Sequence, residues 1–434
     1  MKVVFLLMIT KLKLKYFKKV FNLNKRSILL YIFILIPLIT LFLGFAFNED
    51  LSTGGASWDF NLTWPVVVNY SSFNFFGADQ FTRHMPLHYT FLALLNIVID
   101  DAYFVRLFYL FFSLLLPFFL YLNLSKIYDY NKITLLIFSF SFLYIPLFRS
   151  SAIWSNSHLT ATIFFLIGNY FYLKSKNQNN SINSFLNLLF LAFAIYSLQT
   201  YLILFLYYLY NYFLSEKFNT FIKLFLFSCL LGLPGLYFIV LNSRIANITY
   251  SHDIFYTLST NFSLIFFNFS FLLFNNETFK IFINKIKNLT KIEICAFFFL
   301  VVLIFYNQSL FIFDSRLRGG GFFYKLSFLM LNNNLIFIIS SLLGLIAVYI
   351  AFKYEHKILY IILIINLMAL NIIIYQKYFE PLFLIIMAIL YKNFLIDNIL
   401  KSLKNTLIFY SLILFYFLIA QINTFNNFSL SLII

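Results

Sequence analysis

Asn48–Tyr89 reads NEDLSTGGASWDFNLTWPVVVNYSSFNFFGADQFTRHMPLHY. It is the longest non-helical-looking piece of a chain that otherwise consists mainly of apolar runs. Glu49, Asp50, Asp59 and Asp79 lie in it, four of only 15 acidic residues in the protein. The stretch follows the first apolar run long enough to cross a membrane and closes in a His84-Met85-Pro86-Leu87 turn. Chemistry is expected here, supported by two later loops on the same side.

Composition limits what surrounds it. The 434 residues are 62% hydrophobic and 11% charged, against roughly 45–50% apolar and 25% charged in soluble domains. A soluble core has no use for so much apolar surface, so the chain reads as an all-α polytopic membrane protein. The apolar runs are long and continuous rather than short and alternating, which argues against a transmembrane barrel. The net charge of +16 does not mark a nucleic-acid binder, because the basic residues form short clusters between apolar runs, as cytoplasmic anchoring loops do. Cys229 and Cys295 both lie in apolar runs and suggest neither a disulfide framework nor a metal site.

In chain order, residues 1–26 carry eight basic residues and no acid and form a cytoplasmic N-terminal segment. Lys11 to Leu23 alternates basic and apolar residues, either a plain positive anchor or a segment lying on the anionic leaflet. Residues 27–434 form one transmembrane domain. Its first span, about 27–47, leads to an exoplasmic loop over 48–100. Pro86 to Ile99 is apolar but, at ~14 residues against the ~20 a span needs, reads as an interfacial helix. Further spans are expected near 103–124, 133–148, 154–173, 184–197, 199–214, 219–240, 255–275, 294–313, 334–352, 358–374, 379–391 and 405–423. Residues 184–214 also fit one long tilted helix, and 255–275 an interfacial one, so the bundle has roughly 11–13 helices. In this register Lys126, Lys132, Lys174, Lys176, Lys217, Lys280, Lys285, Lys287, Lys291, Lys353, Lys357, Lys392, Lys401 and Lys404 all fall inside. The exterior loops are then the acidic one, Asp314 to Lys325, and the turn Tyr375 to Pro381.

Glu49 and Asp50 emerge directly from a span. Either carboxylate can take the proton of an acceptor hydroxyl as that oxygen attacks a sugar carbon; the plain alternative is a solvated acid near a helix end. Gly319-Gly320-Gly321 offers close backbone approach to a phosphate or sugar, or a simple turn; no Lys-Ser/Thr pair follows, so it is not a nucleotide loop. Trp58 and Trp64 can stack on a sugar or anchor at the interface.

A single span, an exterior loop opening with an acidic pair, an interfacial helix entered through His-x-Pro-Leu, and then many spans together resemble the GT-C superfamily of membrane glycosyltransferases. That superfamily includes the protein O-mannosyltransferases and the aminoarabinose transferases of lipid A. The family turn usually reads His-Pro-Pro-Leu; here Met85 replaces the first Pro. The resemblance covers about the first 125 residues, with a late motif, Gln376-Lys377-Tyr378-Phe379-Glu380-Pro381. It implies inverting transfer of a sugar from a polyprenyl-phosphate donor to a glycan, lipid or protein acceptor on the exoplasmic side. A bacterial inner membrane is expected, because no eukaryotic retention signal is visible. Asp50 matches the catalytic position, with Glu49 as the neighbour able to replace it. Arg316, Arg318, Lys325 and Lys377 are the expected donor-phosphate cations. Arg83, His84, Asp59 and Tyr378 are the expected substrate contacts. Asp59 and Asp79 are spaced carboxylates that some members use for a divalent metal, but no Asp-x-Asp or His-rich cluster appears, so no cofactor is expected. A flippase of lipid-linked sugars, or an O-antigen polymerase or ligase, is the competing expectation.

Overall fold

The computed structural model describes residues 25–52, 55–75, 84–178, 181–241, 254–295, 297–299, 302, 321–354, 379–390, 392 and 394–431. These residues are helical, with turns between helices and no strand. Of the expected site residues, Asp79, Arg83, Arg316, Arg318, Lys377 and Tyr378 lie outside them, as do the expected span 358–374 and most of 294–313.

The acidic stretch differs from its reading as non-helical. Gly55–Ser71 is a helix (α2) between the first helix, Lys25–Ala46 (α1), and the helix Leu87–Ile99 (α3). Its Pro65 is accommodated inside the helix, while Phe60, Val66, Val67 and Tyr70 turn inward at the three- and four-residue spacing of one helix face. The α3 helix runs over 13 residues, within the expected apolar segment Pro86 to Ile99. It stops at Asp100, whose φ of 49° is left-handed. Asp101 then caps the next helix, Ala102–Ser113 (α4), by accepting from the N–H groups of Tyr103 at 2.7 Å and Phe104 at 3.1 Å. Two adjacent aspartates thus end one helix and begin another.

From α4 the chain continues through Leu115–Ile127 (α5), Lys132–Ser141 (α6), Pro146–Ile153 (α7), Ser157–Gln178 (α8), Ser181–Ser197 (α9), Leu202–Ser215 (α10) and Phe218–Leu241 (α11). Beyond lie Ile254–Leu273 (α12), Asn276–Lys287 (α13), Gly321–Leu331 (α14), Leu335–Tyr354 (α15), Leu382–Ile389 (α16), Phe394–Leu400 (α17) and Leu403–Ser431 (α18). Residues 184–214 are two helices, split by the turn Gln199–Tyr201. Three described helices are long and apolar enough to cross a membrane: Ala102–Ile127, Phe218–Val240 and Leu403–Ile422. The count reaches five if each bent pair is one span, Lys132–Tyr144 with Pro146–Ile153 at 70° and Leu382–Ile389 with Phe394–Leu400 at 88°. Other expected spans correspond to shorter apolar helices, among them Tyr31–Ala46, Ser181–Ser197, Ser259–Leu273 and Leu335–Ile350.

Small and amide side chains let these helices meet. On α15, Ser341 donates to the Ser259 carbonyl at 2.7 Å, and Ser340 pairs with Ser263 at 2.6 Å. A Cβ on Gly344 would lie 2.0 Å from the Phe262 carbonyl oxygen, so only glycine permits that approach. Between α8 and α9, Asn187 donates to the Gly168 carbonyl at 2.8 Å. Asn123 and Asn169 continue a buried amide ladder across α5 and α8 at 2.8 Å. Such bonds between apolar helices contribute about 0.6–2 kcal/mol each.

Candidate functional site

The end of α1 sets the geometry. Asn48 takes a left-handed φ of 51°. The Glu49 N–H then reaches back to the Gly44 carbonyl at 2.8 Å and the Asn48 N–H to the Phe45 carbonyl at 3.1 Å. This pair of bonds is the Schellman ending, and Asn tolerates its left-handed position. The turn throws the Glu49 side chain back along α1.

There it meets Arg149, from the first turn of α7. Arg149 Nε donates to Glu49 Oε1 at 2.6 Å and Nη2 to Oε2 at 3.0 Å. Nη1 and Nη2 also reach the Thr40 hydroxyl and carbonyl, at 3.2 and 2.7 Å. Gln421 of α18 donates to Oε2 at 2.5 Å. The Trp154 indole N–H donates to the Glu49 carbonyl at 2.9 Å. A Cβ on Gly44 would sit 2.7 Å from Arg149 Nη2 and 2.8 Å from Glu49 Oε2, so glycine opens the space for the pair. The side chains are only 1% and 10% exposed. Removing one partner of such a buried pair costs about 3–5 kcal/mol, because the other charge stays behind uncompensated.

Asp50 is placed differently. It is half-buried, and its carboxylate receives the start of α2. Oδ1 accepts from the Ser52 N–H at 2.9 Å and the Ser52 hydroxyl at 2.5 Å, and Oδ2 accepts from the Ser57 N–H at 2.8 Å. Ser150, next to Arg149, receives the Leu51 N–H at 2.9 Å. The loop is therefore clamped on both sides of Asp50, and the carboxylate is oriented by backbone donors.

Arg106, in the second turn of α4, meets the same turn through Asn48. Its guanidinium stacks 3.7 Å from the Trp154 ring centroid. Its Nε donates to the Ile153 carbonyl at 2.9 Å and Nη2 to Asn48 Oδ1 at 3.1 Å.

Next to Trp154 lies a buried hydrogen-bond cluster. His88 Nε2 is 2.9 Å from the Ser155 carbonyl and so carries the proton; Nδ1 accepts from the Thr160 hydroxyl at 2.8 Å. Tyr109 adjoins Thr160 at 2.9 Å and donates to the Asn156 carbonyl at 2.7 Å. Burial pushes the His88 imidazole down to about 3; the Ser155 hydrogen bond opposes this and the neighbouring His84 adds to it. The ring is thus a neutral structural group.

Of the expected substrate contacts, His84 lies edge-on to His158, with 5.9 Å between ring centroids. Asp59 is half-buried on α2, one residue from the exposed Trp58. Lys325 is an exposed residue of α14, and no described contact joins it to Glu49 or Asp50. Glu380 of the late motif is buried and accepts from the Tyr416 hydroxyl at 3.2 Å. Among the described residues no three His, Cys, Asp or Glu side chains form a metal-binding group. The sequence reading missed Arg106, Arg149, Trp154, His88 and Gln421. Two arginines embedded in apolar runs were the available signal, since buried ionisable groups among apolar helices are rare and usually have a purpose.

No family model, curated protein or solved structure matches the chain.

Proposed function

We propose that the chain is a multi-pass membrane glycosyltransferase that inverts a sugar taken from a polyprenyl-phosphate donor on the exoplasmic face. Asp50 is its general base. One observation carries this reading: the two adjacent acids have separate tasks. Glu49 is consumed by Arg149 and Gln421, which fixes the loop to α1, α7 and α18. Asp50 stays half-exposed, oriented by Ser52 and Ser57. In the reaction Asp50 accepts the proton of the acceptor hydroxyl while that oxygen bonds to the anomeric carbon. The carbon–oxygen bond to phosphate breaks, and polyprenyl phosphate leaves with the electron pair. Arg316, Arg318 and Lys377 retain their proposed phosphate role, and the acceptor is a lipid, glycan or protein.

The test is a strain lacking the gene, complemented with wild type or Asp50→Asn at equal membrane abundance, with surface glycans and glycolipids profiled. A sugar restored by wild type and reduced about 10²–10⁴-fold by Asp50→Asn is expected of a lost general base. Full restoration by Asp50→Asn would remove the assignment.

The second reading is a transporter of lipid-linked saccharides. Two bent helix pairs and the buried Arg106, Arg149 and Glu380 favour it. It predicts that the deletion strain accumulates complete donor inside while purified protein transfers no sugar.

A further inference from the structure

Arg149 and Arg106 are both buried, at 0% and 6% exposure, but they are neutralised differently. Arg149 has a carboxylate on two of its nitrogens. Arg106 has only neutral partners among the described residues: the Ile153 carbonyl and Asn48 Oδ1, with the rings of Trp154, Phe45 and Phe60 at 3.7, 5.3 and 5.7 Å from the guanidinium carbon. Its Nη1 makes no hydrogen bond among these residues. Withdrawing a guanidinium from water without a counter-ion costs several kcal/mol. Aromatic faces recover part of that and leave the positive charge in place. An apolar residue would fill the same space without the cost.

We propose that Arg106 is the fixed cation of a phosphate-ester subsite, with Asn48 as its removable plug. The subsite rests on the transferase reading and gives it a phosphate-binding residue that the expected cations did not include. Asn48 is exposed and offers a single neutral oxygen at 3.1 Å. A phosphate oxygen replacing it supplies the missing negative charge, and the guanidinium fork suits two oxygens of one phosphate. Asn48 and Asp50 are two residues apart, at most about 7 Å between their Cα atoms. The phosphate and the base would therefore sit within about one sugar ring of each other.

Asn48→Asp provides the test without removing the arginine. The new carboxylate is nearly isosteric, tolerates the left-handed turn, and gives Arg106 a permanent counter-ion. Full-length protein in neutral detergent is titrated with polyprenyl monophosphate, the corresponding polyprenol, phosphatidylglycerol and inorganic phosphate. Trp154 emission and thermal midpoint report binding, because Trp154 stacks on the guanidinium. Wild type and Asp50→Asn should bind polyprenyl monophosphate alike and ignore polyprenol; Asn48→Asp should bind about tenfold more weakly or worse while melting no lower than wild type. Unchanged binding in Asn48→Asp overturns the subsite. Equal binding of phosphatidylglycerol assigns it to bulk headgroups and overturns the donor role, and saturation by inorganic phosphate alone does the same. Transfer activity separates the two proposals. Asn48→Asp protein that transfers sugar like wild type sinks the subsite and leaves the transferase intact. Wild-type protein that binds phosphate through Arg106 but transfers nothing does the reverse.

Discussion

At the residue scale, burial decides which titratable groups respond to pH. His88 is held near 3, against an ordinary 6.5, chiefly by burial. Above pH 6.5 it is neutral whether the chain is folded or not, and its contribution to stability is complete. As pH falls below 6.5 the unfolded chain binds a proton that the folded protein refuses, so stability declines by about 1.4 kcal/mol per pH unit until about pH 3. His88→Gln should lower stability at pH 7 and flatten the decline between pH 6.5 and 4, read as thermal unfolding of purified protein across that range. The same slope in both proteins would place the acid sensitivity elsewhere. This residue also shows the reach of the sequence. Glu49 and Asp50 were legible because acids are scarce in so apolar a chain. Their division of labour was not, because Arg149 lies 100 residues from Glu49 and Gln421 lies 372 away. Nothing local distinguishes a paired carboxylate from a free one.

At the element scale, continuous apolar runs located helices well and their breaks poorly. The spans expected at 103–124 and 219–240 match α4–α5 and α11. The helix α2 was missed because the acidic stretch read as non-helical, whereas its buried face, Phe60, Val66, Val67 and Tyr70, holds it against α3. Proline has another effect in α11. Pro234 lies inside that helix, and its ring disrupts the hydrogen-bond ladder there. The Tyr196 hydroxyl from α9 enters the break: it donates to the Leu231 carbonyl and accepts from the Gly235 N–H at 3.1 Å. Those two groups would otherwise bond to each other, so the side chain substitutes for one rung. Gly235 is required because a Cβ would lie 2.9 Å from the Tyr196 ring. Tyr196→Phe should cost about 1–2 kcal/mol by leaving both backbone groups unsatisfied. The same substitution should cost less in a Pro234→Ala background, where the ladder can close. A thermodynamic cycle of the four proteins measures the difference, and an equal cost in both backgrounds would show that the hydroxyl does not stand in for the rung.

At the scale of the whole molecule, the transferase reading requires Asp50 on the exoplasmic side of the membrane. On the lysine pattern α13 is expected inside and the Glu49–Asp50 turn outside, and each span between them reverses the side, so the two expectations stand or fall together. The structure supplies positions that test it directly. Ser72 is exposed just after α2, and Asn288 is exposed just after the basic α13, whose last turn carries Lys285 and Lys287. Cys229 and Cys295 are themselves exposed, so both are first replaced by serine. In intact cells a membrane-impermeant maleimide should label Ser72→Cys, and Asn288→Cys only after permeabilisation. An exoplasmic Asp50 meets donors whose sugar has already been carried across, and there it has no access to cytoplasmic nucleotide sugars, so the carrier lipid becomes the only plausible leaving group. Reversed labelling would put the acid pair in the cytoplasm and withdraw the polyprenyl-phosphate reading, even though Glu49, Arg149 and Asp50 would keep the same geometry. Labelling of both positions without permeabilisation would mean an even number of spans between residues 72 and 288 where the lysine register requires an odd number, and the bent pair Lys132–Tyr144 with Pro146–Ile153 is the first place to look, because a 70° break allows that segment to enter and leave on one side.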